Sequence, residues 1–473
     1  MQIRPTAVIT AFVLSASAVI AQQSPLTASQ QLARDIYQEL IETNTSTNTM
    51  GTTVAAEAMA KRFRDAGFPE RDIFLGGVRA DKHNVVLRYR GSGGPSGPKP
   101  LLLLAHLDVV EALKSDWSPD LEPFKLAERD GYFYGRGTTD DKAQAAIWVA
   151  NIIRLKQEGY VPDRDIIVAL TADEEGGCCN GARWLVTNHY DLVDAGVVLN
   201  EGGFGYLRDG KPQAHAVEAT QKVFAMFTVT AKNPGGHSSL PRPDNAIIQL
   251  SEAILRLWKY QFPVELNPVS RAFFEQAANA ETPANAAAMR ALVRNPNDAA
   301  ASATLSRDPL YNSTLRTTCV PTMLKGGHAQ NALPQTAEVA INCRMVPTAR
   351  PADVRAAIVK ALADTSLEVS AASRNTPPAP SPLLPEVMGP IASITREMWG
   401  DIPVVPTMMT GATDAIPWRA RGVPAYGVSG VMIDPSDLRA HGRDERLPVK
   451  SFYDAQEFLY RLTKALSSPK VVP

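Results

Sequence analysis

Short aliphatic runs alternate with a helical pattern in the first half of the chain. Continuous apolar segments at residues 101–105, 166–170 and 196–199 predict strands that are buried on both faces of a sheet. Between the first two, apolar residues recur at helical spacing over residues 146–153, and Gly159 marks the end of the helix. Strands that alternate with helices are typical of βαβ crossovers, so the pattern predicts an α/β fold with a largely parallel sheet and helices on both faces.

The pattern changes near residue 224. Residues 224–231 alternate as a half-buried strand does, and about four strands with two helices follow up to residue 369, which predicts a smaller α+β domain. Residues 262–310 are rich in Ala and Asn and predict a helical insertion. Residues 376–382 are rich in Pro, which predicts a linker, and helix and strand patterns resume after them. The predicted organisation is an α/β domain over 22–216 and 383–473, a smaller domain over 217–375, and a linker over 376–382.

The N-terminus has the pattern of a secretory signal peptide over residues 1–21. Arg4 precedes an apolar stretch over residues 7–21, and Val19 and Ala21 form a small-residue cleavage site before Gln22. The alternative, a membrane anchor, would need about 20 apolar residues, more than this stretch provides. No later segment is long and apolar enough to span a bilayer. The sequence therefore predicts an exported protein, periplasmic or secreted, without a stable membrane span after cleavage.

Composition narrows the class of protein. The 48 Lys and Arg residues balance 49 Asp and Glu, for a formal net charge of -1, which argues against nucleic acid as a partner. A hydrophobic content of 45% in 473 residues argues against global disorder and allows a large core. Four cysteines are too few for a disulfide scaffold.

Export changes the interpretation of those cysteines. Cys319 and Cys343 flank a predicted hairpin centred near Asn331, and antiparallel partners share a constant sum of residue numbers. This favours a disulfide between them, with two buried thiols as the alternative. Cys178 and Cys179 are adjacent, which favours free thiols over metal ligands and leaves their redox state open.

Histidine and acidic residues follow each of the three predicted buried strands. Ligands bind at the carboxyl ends of parallel strands, so these side chains are expected at one edge of the sheet. A mixed set of imidazole nitrogens and carboxylate oxygens suits Zn²⁺, with Mn²⁺ or Co²⁺ as substitutes, and one bridging carboxylate would allow two metals. The candidates are His106, Asp108, Asp140, Glu174, Glu175, Glu201 and His441.

A set of short motifs occurs along the chain in a fixed order. They are His106-Leu-Asp108, Gly135-Arg-Gly-Thr-Thr-Asp140-Asp-Lys142, Asp173-Glu174-Glu175, Glu201, Gly236-His237-Ser238 and His441. In combination, these motifs resemble metallopeptidase family M20, which includes glutamate carboxypeptidase, aminoacylase-1 and carboxypeptidase S. The resemblance covers nearly the whole mature chain and implies a two-zinc catalytic domain interrupted by a lid or dimerisation domain.

The resemblance also implies a role for each site residue. His106 and Glu201 would bind one metal, Glu175 and His441 would bind the other, and Asp140 rather than Asp141 would bridge them. Glu174 matches the general base, and Asp108 matches the residue that orients His106. His237 matches a lid histidine that supports the tetrahedral oxyanion and, in dimeric members, comes from the partner subunit, which implies a homodimer through the lid.

Two further matches concern the substrate. Asn331 and Arg344 match lid positions that contact the substrate's carboxylate end; a surface arginine on a strand is an equally good interpretation of Arg344. Residues 410–414 resemble a substrate-side loop without a catalytic role. Four histidines match no ligand position; of these, His328 lies near Asn331, and His83, His189 and His215 are expected at the surface.

The function implied by the resemblance is a zinc-dependent hydrolase that cleaves a peptide or N-acyl amide bond next to a free carboxylate. Its substrate would be a small peptide or an N-acyl-amino acid. Glu201 stands where aminopeptidases of the family more often have Asp, which favours a carboxypeptidase or acyl-amino-acid hydrolase. The alternatives are an aminopeptidase of the same family and an inert peptide- or metal-binding protein, although every expected site position is occupied.

Overall fold

The computed structural model describes residues 25–279, 281–371 and 377–468, so the predicted signal peptide lies outside the described residues. The strands are β1 Ile73–Gly77, β2 His83–Tyr89, β3 Leu101–His106, β4 Ala127–Arg129, β5 Tyr132–Tyr134, β6 Ile166–Thr171, β7 Val197–Asn200, β8 Gly205–Arg208, β9 Lys211–Gln221, β10 Val223–Lys232, β11 Gly236–His237, β12 Thr318–Gly326, β13 Ala332–Leu333, β14 Thr336–Met345, β15 Glu368–Ala371, β16 Val404–Met409, β17 Ala425–Gly427, β18 Met432–Ile433 and β19 Arg446–Pro448. The helices are α1 Ala28–Glu42, α2 Thr53–Asp65, α3 Lys142–Gln157, α4 Gly181–Asn188, α5 Tyr190–Val193, α6 Ala246–Lys259, α7 Pro268–Ala277, α8 Pro283–Arg294, α9 Ala299–Leu305, α10 Pro309–Leu315, α11 Pro351–Leu362, α12 Pro385–Trp399, α13 Ile416–Arg419 and α14 Val449–Ser467.

A ten-stranded mixed sheet organises the larger part of the molecule. Its order is β1-β2-β6-β3-β7-β17-β9-β8-β18, with β16 paired to β9, and the central pairs from β6 to β17 are parallel. Leu103 and Ala105 of β3 face a core shared with α1, α3 and α14, whereas Leu102 and Leu104 face a second core with α4 and α13. The predicted α/β class, with helices on both faces of a largely parallel sheet, is therefore confirmed.

A second, smaller sheet has its own core. Its four antiparallel strands run in the order β12-β14-β10-β15, and α6 and α11 cover one face. Cys319 and Cys343 are directly opposite each other on β12 and β14 and form a disulfide in the structure. The chain leaves the large sheet at Gln221 and enters the smaller one at Val223. Within the described ranges, no helix has both the length and the apolar character to cross a membrane.

The helical insertion, α7 to α10, packs against the large sheet close to the point where the chain crosses to the smaller one. It has its own apolar core, and α7 lies against β16 of the large sheet, where Asn267 Nδ2 is 3.4 Å from Met408 Sδ. Lys222, at the crossing between the sheets, donates to the backbone carbonyls of Ser313 and Arg316, each at 2.9 Å. The insertion therefore contacts the large sheet and supports the crossing between the two sheets.

Candidate metal centre and active site

Three neighbouring parallel strands bring the predicted acidic and histidine side chains to one edge of the large sheet. Strand β3 lies between β6 and β7, and its last residue is His106. The loop after β6 carries Glu174 and Glu175, and Glu201 follows β7. Since parallel strands end at the same edge, sequence positions far apart become neighbours in space.

The first group surrounds the buried ring of His106. Its Nε2 lies 2.9 Å from Asp140 Oδ1 and 3.6 Å from Glu201 Oε2. Its Nδ1 lies 3.0 Å from the backbone carbonyl of Asp108, which suits donation from Nδ1–H. That tautomer leaves the Nε2 lone pair directed at the two carboxylates, as a metal ligand requires.

The second group surrounds His441, whose ring is half exposed. Its Nε2 lies 2.6 Å from Glu175 Oε1 and 3.1 Å from Asp140 Oδ2. Asp140 therefore presents one oxygen to each histidine and stands between the two groups. This is the position in which a carboxylate can bridge two cations.

The electrostatics of the cluster favour bound cations. Burial raises the pKa of Glu201 to about 7, and burial together with the charge of Glu201 raises the pKa of Glu174 well above its usual range. Hydrogen bonds with Asp140 and Glu175 raise the pKa of His441 to about 10. Burial opposes ionisation of Asp140, yet its hydrogen bonds with His106 and His441 keep its pKa far below the ordinary value. Nitrogen and oxygen donors in a concentrated negative field fit two divalent metal ions.

The side chain of Asp108 has partners that the sequence analysis did not predict. Its Oδ1 is 3.8 Å from His106 Nδ1, and its two oxygens accept hydrogen bonds from the backbone N–H groups of Glu174 at 3.1 Å and Glu175 at 3.0 Å. The backbone carbonyl of Asp108 therefore orients the ring, whereas its carboxylate positions the loop that carries the two glutamates. Burial raises the pKa of this carboxyl to about 6.

Glu445, for which the sequence analysis proposed no role, positions the loop before Asp140. Its fully buried carboxylate accepts hydrogen bonds from the backbone of Thr139 at 2.8 Å and Asp140 at 3.2 Å, and forms an ion pair with Arg136 at 2.7 Å. In the sequence, only its position four residues after His441 indicates that Glu445 could lie near the cluster.

Asp414, in the segment that resembles a substrate-side loop, supports the loop that carries Glu174. Its carboxylate is buried and accepts hydrogen bonds from Thr171 Oγ1 and Asn180 Nδ2, both at 2.6 Å. Thr171 ends β6 and Asn180 caps α4, so Asp414 joins the two ends of the loop that carries Glu174.

The predicted substrate-binding residues lie on the smaller sheet and at the two-stranded antiparallel pair of β11 and β13. His237 is exposed, with Nδ1 2.7 Å from Ser239 Oγ, and the carbonyl of Asn331 accepts from the backbone of the adjacent Ser238 at 2.9 Å. Arg344 is half buried, with its guanidinium 5.4 Å from the centre of the Phe224 ring. Within the described parts of the chain, none of the three forms a hydrogen bond with the carboxylate cluster. His215, expected at the surface, is fully buried.

A mostly apolar cavity of about 140 Å³ adjoins Asp140 and Glu201. Leu438, which is 46% exposed, stands among its lining residues and marks its open side. The other apolar side chains that line it are Ala143, Ile147, Phe204, Met409, Val431, Ala440 and Leu447. The cavity is therefore an apolar space that directly adjoins the carboxylate cluster.

Comparison with known proteins identifies a family and several relatives that the chain resembles. The family described as Peptidase family M20/M25/M40 matches residues 102–465. Probable carboxypeptidase S-like 2 of Dictyostelium discoideum is 29% identical over 392 residues, which are 80% of this chain and 74% of that protein. N-fatty-acyl-amino acid synthase/hydrolase PM20D1 of Homo sapiens is 26% identical over 394 residues, 80% of this chain and 78% of that protein.

Solved structures show the same fold. The M20 family metallo-carboxypeptidase Sso-CP2 from Sulfolobus solfataricus matches with a TM-score of 0.69 at 17% identity, covering 92% of this chain and 99% of that one. The YXEP protein of Bacillus subtilis, described as a dinuclear metal-binding peptidase from the M20 family, matches with a TM-score of 0.59 at 13% identity, covering 93% and 98%.

Proposed function

The chain belongs to peptidase family M20/M25/M40, and on that premise we propose that it is a di-zinc hydrolase of a peptide or N-acyl amide bond next to a free carboxylate. The observation that carries this proposal is the position of Asp140 between His106 and His441, with Glu174 in the same cluster. We further propose that residues 25–221 and 383–468 form the catalytic domain and that residues 222–371 form a lid, because β9 stays in the large sheet and its core up to Gln221, five residues beyond the boundary expected from the sequence.

Five side chains would hold the two metal ions. His106 and Glu201 suit one site, Glu175 and His441 suit the other, and Asp140 has one oxygen near each histidine. Bound there, the ions would supply Lewis acidity and lower the pKa of a water molecule. Zinc suits the donor set best, and Mn²⁺ or Co²⁺ are the expected substitutes.

Glu174 is the residue we assign to proton transfer. It belongs to the cluster with His106 and Glu175, and the raised pKa of its buried carboxyl suits a group that takes a proton from water and returns it to the leaving amine. Asp108 fixes its backbone, and Asp414 fixes the ends of its loop. These two residues are positioning residues.

The smaller sheet is the proposed source of the residues that bind the substrate's carboxylate. Arg344 offers a planar, charged fork for a carboxylate, His237 lies on β11, and Asn331 directly precedes β13, the strand that pairs with β11. Exposed apolar side chains on the same domain, Trp258 of α6 and Met323 and Leu324 of β12, support a homodimer through the lid. The predicted signal peptide supports export.

A matched substrate panel tests the main proposal. Each dipeptide is assayed beside its N-acylated and its C-amidated form, with purified mature protein, with added zinc or with a chelator. We expect hydrolysis of the free-carboxylate forms, loss of rate on C-amidation, and no activity with the chelator. A requirement for a free amine, with C-amidation tolerated, would identify an aminopeptidase instead. Hydrolysis of none of the amides would contradict the proposal.

The apolar cavity favours one branch of the proposal, hydrolysis of N-acyl-amino acids with an aliphatic acyl chain. Its lining comes from α3, β16, β19 and the loops around the cluster, and none of it from the smaller sheet that carries Arg344, so the acyl half of the substrate would face it. The relative named N-fatty-acyl-amino acid synthase/hydrolase supports the same branch.

Leu438→Trp tests this branch, because a larger side chain at the open side fills the cavity. For an acyl series on one amino acid, we expect kcat/KM of the unaltered protein to rise up to fourfold per added methylene, equivalent to ~0.8 kcal/mol, until the cavity is full. The variant should lose that gain at shorter chains and hydrolyse acetyl substrates normally. Leu310→Trp, an exposed leucine of α10, is the matched control. Equal effects on acetyl and long-chain substrates would contradict the assignment.

A further inference from the structure

Two adjacent thiols lie at the end of the loop that carries Glu174 and Glu175. Cys178 is exposed and Cys179 is 8% exposed, and both are free. Their sulfur atoms and a carboxylate oxygen of Asp173 all lie within 4.8 Å of one another. The proposed catalytic mechanism uses neither thiol.

Hydrogen bonds connect this thiol pair to the proposed general base. The backbone N–H of Cys179 donates to Asp173 Oδ2 at 2.7 Å. The other oxygen of Asp173 accepts from Thr47 and from the buried Lys82, each at 2.7 Å. Because Asp173 immediately precedes Glu174, a change in the backbone of Cys179 reaches the residue before the base directly.

Small molecules have access to the pair from two sides. A cavity of about 240 Å³ is lined by both cysteines, and a second cavity, of about 230 Å³, is lined by Cys178 on the side of Asp173. Either is large enough to admit a low-molecular-weight reagent. Cys178, the exposed thiol, would react first.

A bond between the two sulfur atoms would require the loop to change shape. Consecutive Cα atoms are ~3.8 Å apart across a trans peptide, whereas disulfides ordinarily span ~4.4–6.8 Å between Cα atoms. Gly177 has open space around it, but Gly176 is packed against Thr47 and Asp173. The change would therefore begin at Gly177 and break the hydrogen bond between Cys179 N–H and Asp173. Asp173, the residue before Glu174, would then lose one of the contacts that hold the loop in place.

We propose that Cys178 and Cys179 form a modification site, at which a low-molecular-weight disulfide closes a reversible bond between them and thereby displaces the loop that carries Glu174. The Cys178 thiolate attacks one sulfur of the reagent and releases one thiolate. The Cys179 sulfur then attacks the Cys178 sulfur, and the second reagent thiolate leaves. Two electrons pass to the reagent, and the two thiol protons go to its two products. A strained bond is easily reduced, so a dithiol reverses the reaction.

The test uses the full chain and oxidised glutathione. Since the Cys179 thiol raises the pKa of Cys178 to about 11, exchange at neutral pH is slow and is followed over hours. Peptide mass mapping should show a fragment that contains both cysteines and lacks two hydrogen atoms. Amide hydrolysis should fall in proportion, by about 100-fold at full conversion, because the base is displaced. Dithiothreitol should restore both readouts, and Cys178→Ser and Cys179→Ser should show neither change.

The possible outcomes distinguish this proposal from the proposed function. Only the hydrolysis measurement depends on the proposed function. Peptide mass mapping detects the bond whether or not the protein hydrolyses amides. A difference in zinc affinity between the oxidised and the reduced protein would show a change in the position of Glu175, again without any measurement of hydrolysis. The bond would be ruled out if both thiols still reacted with an alkylating reagent after treatment with oxidised glutathione. A stable glutathione adduct at Cys178 would rule it out as well. A bond that changes neither hydrolysis nor zinc affinity would rule out the displacement. Absence of hydrolysis in the reduced protein would contradict only the proposed function.

Discussion

Replacing Glu174 with glutamine is expected to lower kcat by about 10²–10⁴-fold, because the amide cannot accept a proton from water. The substitution preserves the size of the side chain and the backbone hydrogen bond to Asp108 Oδ1, so the loop should keep its position. Glu174 is not among the five side chains that we assign to the metals. Metal content, measured by mass spectrometry on the purified variant, should therefore match that of the unaltered protein.

Glu57→Gln is the matched control for this variant, since Glu57 is exposed on α2. It should change neither kcat nor metal content. Full activity in Glu174→Gln would contradict the assignment of Glu174 as the base. Loss of metal together with activity would instead identify Glu174 as a ligand.

The site residues at the edge of the large sheet could be predicted because each is marked by the short stretch of sequence directly before it. Each buried strand appears in the sequence as an uninterrupted aliphatic run, and the residue that follows it is fixed in place by the strand itself. His106 and Glu201 therefore need only the parallel order of β3 and β7 to become neighbours. The sequence pattern predicts that the strands are parallel, and the resemblance implies that both residues bind the same metal.

The residues that support the cluster could not be predicted in the same way. Glu445 binds the backbone of Gly137 from 308 positions away, and Asp414 binds Asn180 from 234 positions away. Such hydrogen bonds depend on how distant loops meet, and no periodicity records them. His215 shows the same limit, because its burial between Trp399 and Phe458 follows from packing on the large sheet.

Asp108 illustrates an intermediate case. A His-x-Asp pair at a strand end correctly indicates that the two residues are close, and the expected contact is between ring and carboxylate. In the structure, the backbone carbonyl takes that place at 3.0 Å, which frees the carboxylate to bind the loop after β6. The sequence could indicate proximity, but the choice between carbonyl and carboxylate depends on the course of a neighbouring loop.

Asp140→Asn is expected to remove most of the bound metal and, with it, hydrolysis of every substrate. Asp140 Oδ1 is 2.9 Å from His106 and Oδ2 is 3.1 Å from His441, so each proposed metal site shares one of its oxygens. An amide has one oxygen and one N–H₂ group, and the latter cannot bind a cation. Loss of a direct ligand should weaken metal affinity by more than the ~10–100-fold seen when an outer partner is removed. Calorimetric zinc titration of the metal-free protein measures this.

Asp141→Asn is the matched control, because it changes the neighbouring carboxyl in the same way. Asp141 is buried, and its Oδ2 has no hydrogen-bond partner among the described residues. The distances place Asp140, not Asp141, between the two histidines, so Asp141→Asn should keep its zinc affinity within a few-fold of the unaltered protein. If Asp141→Asn lost both metals and Asp140→Asn kept them, the bridging carboxylate would be the second of the pair. If both variants kept full zinc affinity, neither carboxylate would bridge, and the two-metal arrangement would be wrong.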